Sequence, residues 1–360
     1  MRHIFQLGYP GPVGGANTEA YHTIRLWREA GWDVTLIPTW SCSPDWKSKM
    51  DALGVKTVHA LPRQLGRVPG LPGSIVLGMC NSHFAEELPS LKRMDCRTVW
   101  VSCMVCFLRR EAATYAEYGP PDFLVFQSEY QRGVLEPKYV RVGHDPERSH
   151  LIRGAFYADE FPFAPRPHVA GEAFVVGRLA RPDADKWNSS TVRVIREMSY
   201  PQRRAMFMGV NENTLGKIGT APDWCEYLSP GSLSSREFLS RCHALLCYNG
   251  GASENWPRVG LEAMAAGVPI VAENRWGWLE MIEHGVTGYL ATWPREMTDF
   301  LDSLASNETE RQQMIEAARE DLKELTDQNT ITAAWDRLFT QAEKGEPNDE
   351  RCAVHSSDPM

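Results

Sequence analysis

The sequence predicts an α/β protein built from two doubly wound parallel-sheet domains. Three observations carry that prediction: the length, a steady alternation of apolar strands with helical stretches, and one break in the alternation near the middle. The chain has 360 residues. Single cores rarely grow past about 250–300 residues, so two domains of about 150 each are expected.

The first unit reads HIFQLGY, then the loop PGPVGGAN, then TEAYHTIRLWREA, then GWDVTLI. In the helical stretch Ala20, Ile24 and Trp27 share one face, Asn17 is placed to cap the amino end, and Gly31 stands where helices stop. Further strands are expected at 74–79, 98–104 and 122–128, each a continuous apolar run of the kind buried on both faces of a parallel sheet. Three prolines and no apolar period interrupt the pattern at 161–173. Alternation restarts with AFVVGRL (173–179), RRAMFMGV (203–210), HALLCYN (243–249) and VPIVAEN (268–274). The expected organisation is a first domain over 1–162, a linker over 163–172, a second domain over 173–328, a helix over 329–343 packing back on the first domain, and a polar, disordered tail over 344–360. Ligand is expected at the carboxyl ends of the strands.

Composition narrows the function by exclusion. Hydrophobic residues at 43% and charged residues at 23% are ordinary globular values, which excludes fibrous and wholly disordered classes. A net charge of −8 gives no broad attraction to nucleic acid phosphates or anionic lipid. Nine cysteines, scattered and odd in number, fit a reducing compartment better than a disulfide scaffold. The opening MRHIFQLGYPGP lacks a signal-peptide pattern, and no window reaches the ~18 apolar residues of a membrane span, so a soluble cytoplasmic protein is expected.

The most informative stretch is SENWPRVGLEAMAAGVPIVAENRWGWLEMIEHGVTGYL, residues 253–290. Glu254 follows the strand HALLCYN and the pair Gly250-Gly251; Glu262 comes eight residues later, inside a helix that Pro257 can start. Two carboxylates so placed can accept hydrogen bonds from vicinal hydroxyls, as acidic side chains do when they hold a ribose or hexose. Here the sequence resembles the retaining GT-B glycosyltransferases of family 4, whose signature is a glutamate, seven residues, a second glutamate and Ala-Met-Ala-x-Gly-x-Pro. The chain has Glu254, Glu262, Ala263, Met264, Ala265, Gly267 and Pro269 in that pattern, followed by Gly277, Glu280 and the Gly285 to Gly288 turn. The resemblance extends to Gly14-Gly15, to the GRL…K segment at 177–186 and to HLIRGAFYADEF, so it spans nearly the whole chain.

The resemblance implies a GT-B fold, two Rossmann-like domains facing across a cleft, with donor on the second and acceptor on the first. It implies transfer of a sugar from a nucleotide diphosphate sugar, a UDP-sugar favoured, to an acceptor hydroxyl, with retention and without a cofactor or metal. Glu254 is then expected at the transferred sugar and Glu262 at the ribose. Arg178 and Lys186 would neutralise the diphosphate, which gathers negative charge as it leaves. Gly14, Gly15 and Gly277, with the start of a helix WLEMIEHG, would offer backbone amides. Tyr227 and Leu228 are placed at the nucleobase, and Asn255 and Trp256 at the donor.

Several residues depart from the family. Asn255-Trp256-Pro257 replaces a Gly-Phe-Gly, and Pro257 has no amide to donate. Arg-Pro-Asp-Ala-Asp lengthens the interval between Arg178 and Lys186, and Trp276 replaces a glycine. Ser102-Cys103-Met104 stands where a histidine is usual, which leaves His83 as the acceptor-side candidate. These departures keep two alternatives open, a nucleotide-sugar binding protein without turnover and an epimerase of the same fold. Three other motifs are set aside. Cys103 and Cys106 sit mid-sheet rather than in a compact redox domain, Asp183-Ala-Asp185 belongs to a different transferase architecture, and GVNENTLGKIG lacks the P-loop spacing.

Overall fold

The computed structural model describes residues 2–11, 14–39, 42–79 and 81–344. The first sheet consists of β1 (His3–Leu7), β2 (Asp33–Ile37), β3 (Lys56–Thr57), β4 (Ile75–Met79), β5 (Arg97–Val101), β6 (Phe123–Phe126) and β7 (Ser149–Leu151). Its order is β3-β2-β1-β4-β5-β6-β7, and every pairing is parallel. The second consists of β8 (Phe174–Leu179), β9 (Arg203–Met208), β10 (Cys225–Leu228), β11 (Ala244–Cys247), β12 (Ile270–Glu273) and β13 (Tyr289–Ala291). Its order is β10-β9-β8-β11-β12-β13, again parallel throughout. Strand order reverses between β1 and β4 in one sheet and between β8 and β11 in the other. At such a reversal the loops leave in opposite directions and open a crevice at the carboxyl ends.

Helices cover both faces of each sheet. The first domain carries α1 (Gly15–Glu29), α2 (Pro44–Ala52), α3 (Ser82–Arg93), α4 (Arg109–Tyr118) and α5 (Glu129–Val140). The second carries α6 (Thr191–Arg196), α7 (Glu212–Ile218), α8 (Ser235–Leu239), α9 (Arg258–Ala266), α10 (Pro294–Ser306) and α11 (Glu308–Leu325). The chain then returns as α12 (Gln328–Lys344), whose Trp335 and Phe339 join the first domain's core. Trp27 meets Trp335 edge-on, with ring centroids 5.0 Å apart. Arg2 reaches Asp336 at 2.6 Å and Glu343 at 2.7 Å, closing the exposed side of that contact. The polar tail expected over 344–360 lies, past Lys344, outside the described residues.

Two local expectations are corrected. Asn17 does not cap α1: Gly14, at φ 106°, is the cap, and the Asn17 side chain accepts the Gly11 amide at 2.7 Å instead. Gly14 can take this backbone conformation, which disfavours side chains, so the helix starts three residues earlier than the asparagine suggests. WLEMIEHG forms no α-helix but a short 3-10 turn, Trp276–Glu280. Trp276 enters that turn at φ 63°, a conformation open to few residues with a side chain.

Candidate functional site

The loops leaving β8 and β11 hold one chain of polar contacts. Arg178, next to last in β8, is buried, and its guanidinium donates to the Lys186 carbonyl and, at 2.7 Å, to Asn249 Oδ1. Asn249 passes the contact on, its Nδ2 donating to Glu254 Oε1 at 2.8 Å and to the Ala252 carbonyl at 2.8 Å. The same Glu254 oxygen receives Lys186 Nζ at 2.8 Å. Glu254, partly buried, is therefore fixed by two donors. Glu273 backs the cluster, accepting the Asn249 amide at 3.0 Å; burial raises its pKa against the pull of that bond and of Arg275. A surface depression of about 520 Å³ at the opposite ends of β8 to β10, lined by Val175, Arg204 and Cys225 among others, holds none of these groups.

Beyond Glu254 the loop turns to the other domain. Asn255 is buried, accepting the Ser128 hydroxyl at 2.6 Å and donating to Gln127 Oε1 at 2.8 Å. Trp256 lies in the second domain's core with the Arg153 guanidinium 4.4 Å from its ring centre. Arg258 opens α9, donates to the Ala155 carbonyl at 2.8 Å and lies 2.7 Å from His22 Nδ1 of α1. His22 faces Glu160 at 3.2 Å, and this contact is the largest cause of the lowered Glu160 pKa. Glu19, also on α1, accepts Gln127 Nε2 and lies 3.8 Å from Cys103 Sγ. Burial pushes its pKa up to about 7, opposed by Arg258 and Cys103. Glu280 completes the seam, its carboxylate accepting the Glu129 and Tyr130 amides at 3.0 and 2.8 Å. It sits at the positive end of α5, where a carboxylate is favoured.

The structure brings together Glu254, Lys186 and Arg178, but with unequal freedom. The terminal nitrogens of Arg178 and the side-chain amide of Asn255 are spent inside the protein, although Arg178 Nε has no partner among the described residues, and Trp256 is covered on its faces by protein. Gly277 is close-packed, since a Cβ there would fall 1.5 Å from the Asn255 carbonyl oxygen. Its amide donates to the Glu254 carbonyl at 3.0 Å, so in this arrangement it is not offered to a diphosphate. Glu262 groups with Arg258 one turn away; burial raises it to about 7, while Arg258 and Ser235 act to lower it. Gly14 and Gly15 face the second domain across the cleft: a Cβ on Gly15 would lie 3.5 Å from Arg258 Cδ. Tyr227 stacks on Phe207, centroids 5.5 Å apart, with its hydroxyl buried and without a hydrogen-bond partner among the described residues; Leu228 gives its carbonyl to Gly209 and Val210. His83 is exposed in the first turn of α3, its amide donating to Asn81 Oδ1 at 3.1 Å.

Sequence reasoning passed over Asn249, Glu19, His22, Gln127 and Arg258. Asn249 lies two residues past β11, and its partners come from β8 (Arg178), β12 (Glu273) and its own loop (Ala252 and Glu254). The other four meet only through the tertiary fold, at separations up to 236 residues, which no spacing rule reports.

Residues 230–321 match the family described as glycosyl transferases group 1. No curated protein matches the chain in sequence. Among solved structures the chain is similar to HepE of Anabaena in complex with UDP-glucose, with TM-score 0.75 and 16% identity over 94% of this chain and 100% of that one. It is similar to a glycosyltransferase from Rickettsia africae, with TM-score 0.75 and 12% identity over 96% and 99%. It is likewise similar to sucrose-phosphate synthase of Thermosynechococcus elongatus, with TM-score 0.72 and 13% identity over 95% and 99%. At these identities the likeness shows the fold, and the fold is GT-B.

Proposed function

We propose that the protein is a retaining glycosyltransferase of family 4 that moves a sugar from a nucleotide diphosphate sugar, a UDP-sugar by preference, to an acceptor hydroxyl in the cytoplasm. The observation that carries this reading is the Lys186–Glu254–Asn249–Arg178 chain at the β8/β11 crevice, opposite the Gly14-Gly15 loop. A domain of glycosyl transferases group 1 covers that crevice's second half, and HepE holds UDP-glucose on the same fold.

In this reading Glu254 receives hydroxyls of the transferred sugar, held in place by Asn249 and Lys186. Lys186 faces the leaving diphosphate, Glu262 the ribose, and Tyr227 with Leu228 the base. Gly14 and Gly15 bring backbone close to the phosphates, and His83 stands on the acceptor side. The acceptor oxygen attacks on the face the diphosphate leaves: the new C–O bond forms as the anomeric C–O bond breaks, and the acceptor proton passes to the departing phosphate oxygen. Protein cations carry the charge, so catalysis is positioning and electrostatic stabilisation without a metal. No described helix is long and apolar enough to cross a membrane.

A panel of nucleotide sugars, read by NMR for anomeric configuration, tests the proposal. Retention with at least one donor is expected, with activity unchanged by EDTA; an inverted product overturns the retaining mechanism. Glu262→Ala should weaken UDP binding about tenfold, the loss of a charge-assisted hydrogen bond to ribose. Unchanged affinity removes Glu262 from the site.

A further inference from the structure

The lengthened interval between Arg178 and Lys186 is built, not slack. Lys186 N donates to the Asp183 carbonyl at 2.9 Å, Trp187 Nε1 to the Arg181 carbonyl at 3.0 Å, and Lys217 Nζ to the Ala184 carbonyl at 2.7 Å. The amides of Gly250 and Ala252 both donate to the Asp185 carbonyl, at 2.9 and 3.0 Å, tying the segment to the loop that carries Glu254. Gly209 makes room beneath it, at φ 104° and with a Cβ position only 1.8 Å from the Ala180 carbonyl oxygen. The main chain of Arg181 is therefore fixed, its own carbonyl by the Trp187 indole and the residues after it by α7 and the loop that carries Glu254.

Its side chain is not. Arg181 is 51% exposed, and among the described residues it pairs only with the equally exposed Asp183, at 3.2 Å. An ion pair between two such groups is weak and easily exchanged. Across the cleft stands Gly14, where a Cβ would lie 3.9 Å from Arg181 Cδ. The arginine stem thus lies against the glycine loop of the first domain while its root is in the second. Arg178 contrasts with it: it is buried, its terminal nitrogens donate to the Lys186 carbonyl and Asn249, and only its buried Nε has no partner among the described residues, so its fork serves as a strut.

We propose that Arg181 is the guanidinium that receives the donor's diphosphate, between the Gly14 loop and Lys186, and that Arg178 positions the loop from below. The inserted residues move the cation from a buried strand end to the mouth of the cleft. Asp183 competes with the phosphates for Arg181, so it tunes the affinity. This inference rests on the reading of the crevice as a nucleotide diphosphate site.

Calorimetric titration of the full chain with UDP and with uridine tests it, using wild type, Arg181→Ala, Arg181→Lys and Asp183→Asn. Arg181→Ala should lose about tenfold in UDP affinity and keep the wild-type Tm and uridine affinity, because only the phosphate contact is gone. Arg181→Lys should recover part of the loss as a point charge without the bidentate fork. Asp183→Asn should tighten UDP binding, and the effect should shrink as salt is raised. Equal UDP affinity in wild type and Arg181→Ala overturns the inference, as does an equal loss for uridine. A wild-type chain that binds none of UDP, GDP or ADP overturns the nucleotide reading itself, a result separable from either.

Discussion

The two sides of the loop 254–258 are bonded to different halves of the molecule. Glu254 belongs to a chain of contacts that stays within the second domain, running from Arg178 through Asn249 to Lys186. Asn255 and Arg258, one and four residues later, bond across the seam to Gln127, Ser128, Ala155 and His22. One short loop thus carries a cleft-facing carboxylate and the polar lock between domains. The contrast teaches that chemistry and assembly are separable here by single substitutions, residue by residue along the loop.

The seam should respond first in stability. Arg258→Ala removes a buried guanidinium and strands the Ala155 carbonyl and His22 Nδ1, and should destabilise by about 4 kcal/mol, read as a lower Tm by calorimetry. A change below about 1 kcal/mol would mean the domains do not depend on this contact. Gly277→Ala drives a methyl into the Asn255 carbonyl and should lower stability by about 3 kcal/mol through the shift it forces on the same loop. Asn255→Ala leaves Gln127 Oε1 without its donor and the Ser128 hydroxyl without its acceptor, for about 2 kcal/mol. Glu254→Gln should sharpen the contrast: Tm close to wild type, with transfer reduced about a hundredfold if the carboxylate is needed at the reacting sugar. A Glu254→Gln enzyme with full turnover would erase the distinction between the two sides of the loop.

The difference between the regions also decides what was legible. The nine strands read from apolar runs or from the first βαβ unit are all interior to their sheets, whereas β3, β7, β10 and β13 are the four edges. An edge strand has one hydrogen-bonding side open and is short or incompletely covered: β7 is only half-buried, β3 has just two residues, and β13, though buried, has just three. Only the family resemblance marks HLIRGAFYADEF as strand and turn. Glu254 and Lys186 were legible because a motif spacing holds them near one crevice. The burial of Arg178 was not, since its partners Asn249 and the Lys186 carbonyl come from loops whose approach depends on packing. The cross-domain contact of Asn255 was not legible for the same reason: its amide donates to Gln127, 128 residues away.

The smallest effect is the most discriminating, because it titrates the seam without cutting it. Glu19 is buried, and its pKa is raised from the ordinary 4.5 to about 7, with desolvation outweighing Arg258. Between those values the native chain keeps a proton the unfolded chain has released, so this group's contribution is full below about pH 4.5 and is lost as pH rises through 7. Buried His22, whose pKa is lowered by desolvation, acts in the opposite sense, losing stability as pH falls below its ordinary 6.5. Glu262, also raised to about 7, adds to the Glu19 trend. A raw pH profile therefore mixes these groups with other shifted ones, His144, His243 and Glu160 among them, and the useful quantity is the difference between wild type and Glu19→Gln. The glutamine copies the protonated carboxyl and keeps an oxygen to accept Gln127 Nε2. The two Tm values should nearly coincide at about pH 5, and the variant should gain by about 3 °C at about pH 8. A Tm difference independent of pH would show that Glu19 carries the same charge in both states, and the seam would then be an ordinary ion pair rather than a contact that prefers a neutral carboxyl.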